Sequence, residues 1–211
     1  MTKLGFTHVM ADNCLYILWE HSKIILIVLI YVDNMAITGK EIPRIALFKW
    51  NLSKYFKITD LGKLKFILGI LVTQDCSNHL IFLNQSAYII QVLTRFGMLN
   101  TKPVSTLLAV KHGLSTSQSS SSEAELNKYS SFSSGIHYLS LVGLLLYATQ
   151  TCPDIQFSVN LTAQFSGNSG IPYLEATKCI LYYLKGTQDF FLVLEHHGKE
   201  AVDVVGWTDS D

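Results

Sequence analysis

The sequence predicts an α+β fold, in which antiparallel strands come first and helices dominate the second half. Residues 14–19 and 24–32 are apolar, rich in β-branched and aromatic residues, and separated by a short polar segment, a pattern typical of an antiparallel hairpin. Residues 136–147 and 174–184 instead carry apolar side chains at helical spacing. The serine-rich stretch 115–134 lies between the two patterns and is predicted to be a flexible linker or long loop.

The N-terminal half continues the strand pattern after the first hairpin. Asp33 and Asn34 interrupt the apolar sequence and are predicted to form a tight hairpin tip before a third short strand, 35–38. Pro43 suits the first turn of a helix that reaches about Phe56. The further predicted elements are a strand at 61–74, a turn at 75–78, a strand at 79–84, and a helix at 85–96 ended by Gly97.

The C-terminal half is predicted to hold three helices and two final strands. The second helix begins near Asp154, after Pro153, and the third ends at Gly186. The strands lie near 190–195 and 201–207. We therefore divide the chain into a first region 1–110, a serine-rich linker 111–134, a helical region 135–188 and a short terminal region 189–211.

The amino-acid composition limits which partners and which cellular compartment the sequence predicts. Lysine plus arginine and aspartate plus glutamate number 16 each among 211 residues, so the net charge gives no sign of a nucleic-acid or membrane partner. Four scattered cysteines without a C-x-x-C pair predict free, buried thiols and an intracellular location, cytoplasmic or nuclear. The start lacks a signal-peptide pattern, and the longest apolar run is shorter than the ~20 residues that span a bilayer. No membrane partner is expected.

Six stretches carry a resemblance to one known family. They are "LGFTHVMADNCLYI", "VLIYVDNMAITG", "FKITDLGKLKFILGI", "LVGLLLYATQTCPDIQFSV", "ILYYLKGT" and "GWTDSD". In this order, and over nearly the whole chain, they resemble the reverse transcriptase region of copia-type retrotransposon polyproteins.

The resemblance implies a partial polymerase palm, an antiparallel sheet with a Tyr-x-Asp-Asp-like hairpin at Tyr31, Val32, Asp33 and Asn34. Thumb-like and connection-like helices would follow, then a truncated ribonuclease H-like domain in 189–211. Asp33 would match a catalytic carboxylate that, with an upstream aspartate, holds two Mg²⁺ ions. Asp209 would match the first metal-binding carboxylate of the ribonuclease H domain. The implied partners are an RNA template, a DNA primer and the remainder of the Pol polyprotein.

Two departures from the family pattern predict that this chain is catalytically inactive. Asn34 stands where the family has a second aspartate, and its amide brings no negative charge to a divalent ion. The family's upstream aspartate would lie before residue 1. We therefore expect Mg²⁺ not to be bound tightly, and RNA-directed DNA polymerase activity to be implied by ancestry alone. The alternative is a non-catalytic nucleic-acid-binding or self-association relic of a transposon polyprotein.

Other candidate sites have simple structural interpretations beside the functional ones. Lys178 and Lys185 with Tyr182 and Tyr183 fit a nucleic-acid contact, in which aromatic rings stack between cations. The same residues also fit a half-buried helix with solvated lysines. The pair His196-His197 fits a solvated hairpin end, because adjacent residues of a strand point to opposite faces. We also expect an exposed strand edge beside residues 24–32, an aggregation risk.

Overall fold

The computed structural model describes residues 1–108, 113–120, 122–133, 135–167 and 170–196. Two compact units, Met1–Leu64 and Lys65–Asp211, divide the chain. The described residues form two four-stranded antiparallel sheets and six α-helices, so the predicted α+β class is confirmed. The boundary between the units, after Leu64, falls inside the first predicted region, 1–110.

The first unit is a strand meander followed by one helix. Its elements are β1 (Phe6–Val9), β2 (Asp12–Glu20), β3 (Lys23–Tyr31), β4 (Asn34–Gly39) and α1 (Ile42–Ser53). The strands lie in the order β1-β2-β3-β4, so the predicted hairpin and third strand are confirmed. The strand β1 was not predicted, because its four residues are too few to show a clear period.

The turn between β2 and β3 explains how so apolar a hairpin closes. Glu20 pairs with Lys23, and the two residues between them, His21 and Ser22, have φ of 49° and 62°. Two consecutive positive φ values are the signature of a type I′ turn, whose twist matches that of the flanking strands.

The core of the first unit lies between one face of the sheet and α1. Phe6, Leu26 and Val28 are buried against Phe48 and Leu52, which lie one helical turn apart on α1. The rings of Phe6 and Phe48 are 5.0 Å apart. The helix ends at Ser53 rather than near Phe56. The residues that follow it are therefore not held against the core by helical spacing, and they are exposed.

The opposite face of this sheet is apolar but lies outside that core. Strand alternation places Leu15, Ile17, Ile27 and Leu29 on it, and all four side chains are only partly buried. None of them belongs to the core cluster formed around α1. The first unit therefore has one packed face and one apolar face that its own residues leave partly exposed.

The second unit carries the second sheet. Its strands, in spatial order, are β5 (Phe66–Ile67), β6 (Ile70–Asp75), β7 (Leu80–Asn84) and β8 (Leu192–Glu195). The prediction of one strand over 61–74 is wrong, because Leu68 and Gly69 have φ of 49° and 75° and form a two-residue turn. The strand predicted at 190–195 is confirmed and pairs with β7. The strand predicted at 201–207 lies outside the described residues.

Five α-helices complete the described part of the second unit: α2 (Ser86–Arg95), α3 (Glu123–Ser133), α4 (Tyr138–Ala148), α5 (Gln156–Ala163) and α6 (Ile171–Thr187). The helix α3 lies inside the stretch predicted to be a linker. Its start is a capping box, since Ser122 Oγ accepts from the Glu125 N–H and the Glu125 carboxylate accepts from the Ser122 N–H. The spacer role of this stretch stays a prediction, but serine content does not prevent a helix here. The helix α6 continues through Gly186, which was predicted to end it.

The helices bury the larger of the two cores. Fully buried side chains from four helices, among them Leu93, Leu145, Val159 and Leu181, pack into one cluster. All four cysteines are free. Cys76 is exposed and the other three are partly buried, so the predicted burial of the thiols is wrong for Cys76.

A membrane-spanning criterion gives a mixed result for the described residues. No single helix is both long and apolar enough to cross a bilayer. The bent pair Glu123–Ser133 and Tyr138–Ala148 meets the length and composition requirement together.

Candidate functional site

The hairpin between β3 and β4 carries the residues that the sequence singled out. Tyr31 and Asn34 form the last pair of the ladder, so the loop itself consists of Val32 and Asp33. The prediction that Asp33 and Asn34 together form the tip is therefore wrong by one residue. Asp33 is at the tip, whereas Asn34 is the first residue of β4, because the two-residue loop fixes the register.

Val32 has an unusual backbone conformation for its residue type. Its φ is 54°, and its side chain is 85% exposed. A positive φ is what a two-residue hairpin loop requires at this position, but a β-branched residue adopts it at a steric cost. Strained backbone of this kind is often found at functional turns.

The tip presents two polar side chains to solvent. Asp33 and Asn34 are both exposed, and the Asn34 Nδ2 donates a long hydrogen bond of 3.4 Å to Asp33 Oδ1. A carboxylate and an amide oxygen are both hard donors of the type that Mg²⁺ prefers. The pair supplies only one negative charge, so this donor set does not fit a site for two divalent ions. Across the part of the chain that the structure describes, no three His, Cys, Asp or Glu side chains come close enough to hold a metal ion.

The sheet brings a second aspartate to the same end, which the sequence reasoning missed. Leu15 pairs with Leu29 in the antiparallel ladder, and continuing that register places Asp12 level with Val32. Asp12 begins β2, and its Oδ1 accepts a hydrogen bond of 2.8 Å from the backbone N–H of Cys14. A two-residue turn at 21–22 brings Asp12 to this end of the sheet, and a register shift between Leu18 and Trp19 moves its level from Tyr31 to Val32.

The predicted nucleic-acid residues lie on α6, in the second unit. Lys178, Tyr182 and Lys185 share one face of the helix at spacings of four and three residues. Tyr183 is turned to one side, and its hydroxyl donates to Asp154 Oδ2 at 2.6 Å.

The surroundings of these four residues are those of a partly packed helix. All four side chains are half-buried, and the Lys178 ammonium lies 4.4 Å from the centre of the Phe132 ring. The hydrogen bond to the Asp154 carboxylate, together with burial, raises the pKa of Tyr183 to about 12. Their role in binding nucleic acid stays a prediction.

The remaining predicted sites fall at the end of the described chain. Asp209 and His197 lie outside the described residues. His196 follows β8, and its backbone N–H donates to the carbonyl of His79 at 3.2 Å.

Comparison with known proteins gives the family. The model of the family described as reverse transcriptase (RNA-dependent DNA polymerase) matches residues 1–109. The retrovirus-related Pol polyprotein from transposon TNT 1-94 of Nicotiana tabacum is 37% identical over 95% of this chain and 15% of its own length. That from transposon RE1 of Arabidopsis thaliana is 32% identical over 91% of this chain and 12% of its own length.

A shorter relative shares most of its length with this chain. An uncharacterized mitochondrial protein of Arabidopsis thaliana is 34% identical over 87% of this chain and 70% of its own length. No solved structure matches the chain.

The chain spans only 12% and 15% of the two Pol polyproteins above. With the tip sequence Tyr31-Val32-Asp33-Asn34 and these matches together, the chain belongs to the reverse transcriptase family, among the Pol polyproteins of copia-type transposons.

Proposed function

We propose that this chain is a nucleic-acid-binding part of a copia-type Pol polyprotein and does not itself join nucleotides. The observation that carries the proposal is Asn34, the neutral residue beside Asp33 at the hairpin of the first sheet. Nucleotide joining by two metal ions needs carboxylates that neutralise both ions. The hairpin tip itself contributes one carboxylate, Asp33, and one carboxylate does not supply that charge.

The finer architecture is also part of the proposal. The first sheet with α1 would be a piece of the polymerase palm, and the helices of the second unit would be thumb-like and connection-like. Residues from 189 onward would begin a ribonuclease H-like domain, with Asp209 as a metal-binding position. The family match over residues 1–109 supports the palm interpretation. The partners would be an RNA template, a DNA primer and other parts of the polyprotein, inside the cell.

Primer extension with Mg²⁺ on an annealed template tests the catalytic half of this proposal. We expect no incorporation by the wild-type chain, and none by the Asn34→Asp variant, because one restored charge does not complete a two-ion site. Asp33→Ala is the matched control. Template-dependent incorporation that is abolished by Asp33→Ala would show that the chain is an active polymerase.

Self-association is a second candidate, favoured by the apolar outer face of the first sheet. Ile17 and Ile27 lie opposite each other on that face, and β4, beside β3, is an edge strand of the described sheet. Apolar sheet surfaces and free edges both favour pairing between chains. If the face mediates dimers, Ile17→Thr with Ile27→Thr lowers the sedimentation coefficient at fixed concentration. Phe157→Ala, at a side chain that is 70% exposed in the second unit, is the control.

A further inference from the structure

One segment of the first unit concentrates exposed aromatic rings and lysines. Residues 49–63, here called the aromatic–lysine segment, contain four lysines and one acid, Asp60. The segment therefore carries a formal charge of +3 in a chain whose net charge is zero, so the rest of the chain carries −3. The neutral total conceals a locally cationic surface.

The aromatic rings of this segment point away from the core. Phe48 and Leu52 occupy the buried side of α1, and Trp50 lies about 200° around the helix from each of them. Trp50 is 59% exposed, Tyr55 72% and Phe56 63%. A group of large apolar side chains exposed together is typical of an interaction surface.

The shape of the segment is fixed by local bonds. Lys49 Nζ contacts both carboxylate oxygens of Asp60, at 2.8 and 2.9 Å, and Asp60 also accepts from the Gly62 N–H at 2.9 Å. Asp60 is therefore neutralised by Lys49, which ties the chain after α1 back to the helix. Lys54 Nζ lies 3.2 Å from the centre of the Trp50 ring.

Two cations of the segment remain available. Within the described ranges, Lys57 and Lys63 make no side-chain hydrogen bond or ion pair, and both are exposed. Every residue from Ser53 to Leu64 is exposed. The arrangement is an accessible stretch in which Tyr55 and Phe56 are flanked by unpaired positive charge.

We propose that the aromatic–lysine segment binds single-stranded nucleic acid, with bases stacked on Tyr55 and Phe56 and phosphates near Lys57 and Lys63. Every base offers a π-face to an aromatic ring, and cations track the phosphate backbone. A protein partner would cover the apolar rings but would leave unpaired lysines without a complementary charge, so the positive excess favours the polyanion. This inference rests on the proposed function and places its nucleic-acid contact on residues 49–63 rather than on α6.

The test is fluorescence anisotropy of a labelled oligothymidylate, about 16 nucleotides long, titrated with the full chain at several salt concentrations. One stacked base contributes about 1–3 kcal/mol, which is roughly a 5- to 150-fold change in affinity. The variant Tyr55→Ala with Phe56→Ala should therefore bind at least about fivefold more weakly. Lys57→Gln with Lys63→Gln should lower the slope of log affinity against log salt by about 1.4, or 0.7 for each lost phosphate contact.

Matched controls separate this surface from general effects. Phe157→Ala removes an equally exposed ring, and Lys102→Gln removes an exposed lysine elsewhere, so both should bind as wild type does. Unchanged circular dichroism verifies that each variant folds. If the wild-type chain binds the oligonucleotide and both double variants bind equally well, this inference is overturned while the proposed function stands. If the wild-type chain does not bind even at low salt, the nucleic-acid half of the proposed function fails as well. Loss of self-association, without loss of oligonucleotide binding, in the Tyr55→Ala and Phe56→Ala variant would assign the segment to a protein partner instead.

Discussion

Restoring the missing charge at the hairpin, by Asn34→Asp, should strengthen the binding of a divalent ion at the tip. The Asn34 amide nitrogen lies 3.4 Å from a carboxylate oxygen of Asp33, so the substitution places a second carboxylate beside the first. The register of Tyr31 with Asn34 and the exposure of both side chains leave room for the substitution without repacking. Two carboxylates this close repel each other unless a cation or a proton lies between them.

The size of the effect follows from the exposure of the tip. Two unit charges about 4 Å apart interact by about 1 kcal/mol in water, so a dication gains about 2 kcal/mol from the added carboxylate. That free energy corresponds to about a thirtyfold increase in Mg²⁺ affinity. The gain in binding free energy should not exceed about 2 kcal/mol, because both residues are exposed and water screens the interaction between their charges and the ion.

Isothermal titration of each variant with Mg²⁺ at low salt measures this gain. Asn100→Asp adds the same charge at an exposed residue in the second unit and serves as the control, for which we expect no gain. The reasoning is refuted if Asn34→Asp binds Mg²⁺ no more tightly than wild type, or if Asn100→Asp gains as much.

Three further predictions concern the stability of the chain. Val32→Gly should stabilise the first unit by about 0.5–1 kcal/mol, because the strain of a positive φ at Val32 is larger than the conformational entropy that glycine adds to the unfolded chain. A lower urea midpoint, measured by tryptophan fluorescence, would contradict this prediction. Leu145→Ala should destabilise the second unit by about 2–5 kcal/mol, because this fully buried side chain would leave a cavity; urea unfolding followed by circular dichroism measures the loss, and a change below about 1 kcal/mol would contradict it. Because the pKa of Tyr183 is raised from 10.0 to about 12, its bond to Asp154 stabilises the fold fully below pH 10 and less as the pH rises towards 12. Tyr183→Phe should reduce the alkaline loss in the pH profile of the melting temperature, and an unchanged profile would argue against the bond.

The first sheet could be predicted because local signals agreed with the fold. Two apolar runs, 14–19 and 24–32, were separated by a short polar segment, which left little choice of pairing. The predicted hairpin tip was wrong by one residue at Asp33 and Asn34. Polar residues indicate that a turn is nearby, but the pairing of Tyr31 with Asn34 decides which two residues form the loop. Once the turn at His21 and Ser22 is known, the register also brings Asp12 to the end of the sheet that carries Asp33.

The second sheet was harder to predict because its order is not local. The pairing of β8 with β7 joins residues more than a hundred positions apart, and no short-range pattern encodes that contact. The turn at Leu68 and Gly69 was hidden for a different reason. Leucine rarely adopts a positive φ, so only Gly69 marked the break in an otherwise continuous apolar run.

Counts over the whole chain also concealed a feature of the candidate binding surface. Equal numbers of acidic and basic residues gave no sign of a nucleic-acid partner, although residues 49–63 carry an excess of positive charge. The exposure of Tyr55 and Phe56 depended on α1 ending at Ser53, three residues earlier than predicted. The candidate surface therefore became visible only when the end of the helix was known.

The central claim is that Asp33, without a second carboxylate beside it, does not assemble a pair of divalent ions. Counting the Mn²⁺ ions bound by the wild-type chain, by electron paramagnetic resonance at increasing metal concentration, tests it directly. The account predicts no more than one weakly held ion that depends on Asp33. Two ions bound at stoichiometric concentration, both lost on Asp33→Ala, would contradict it.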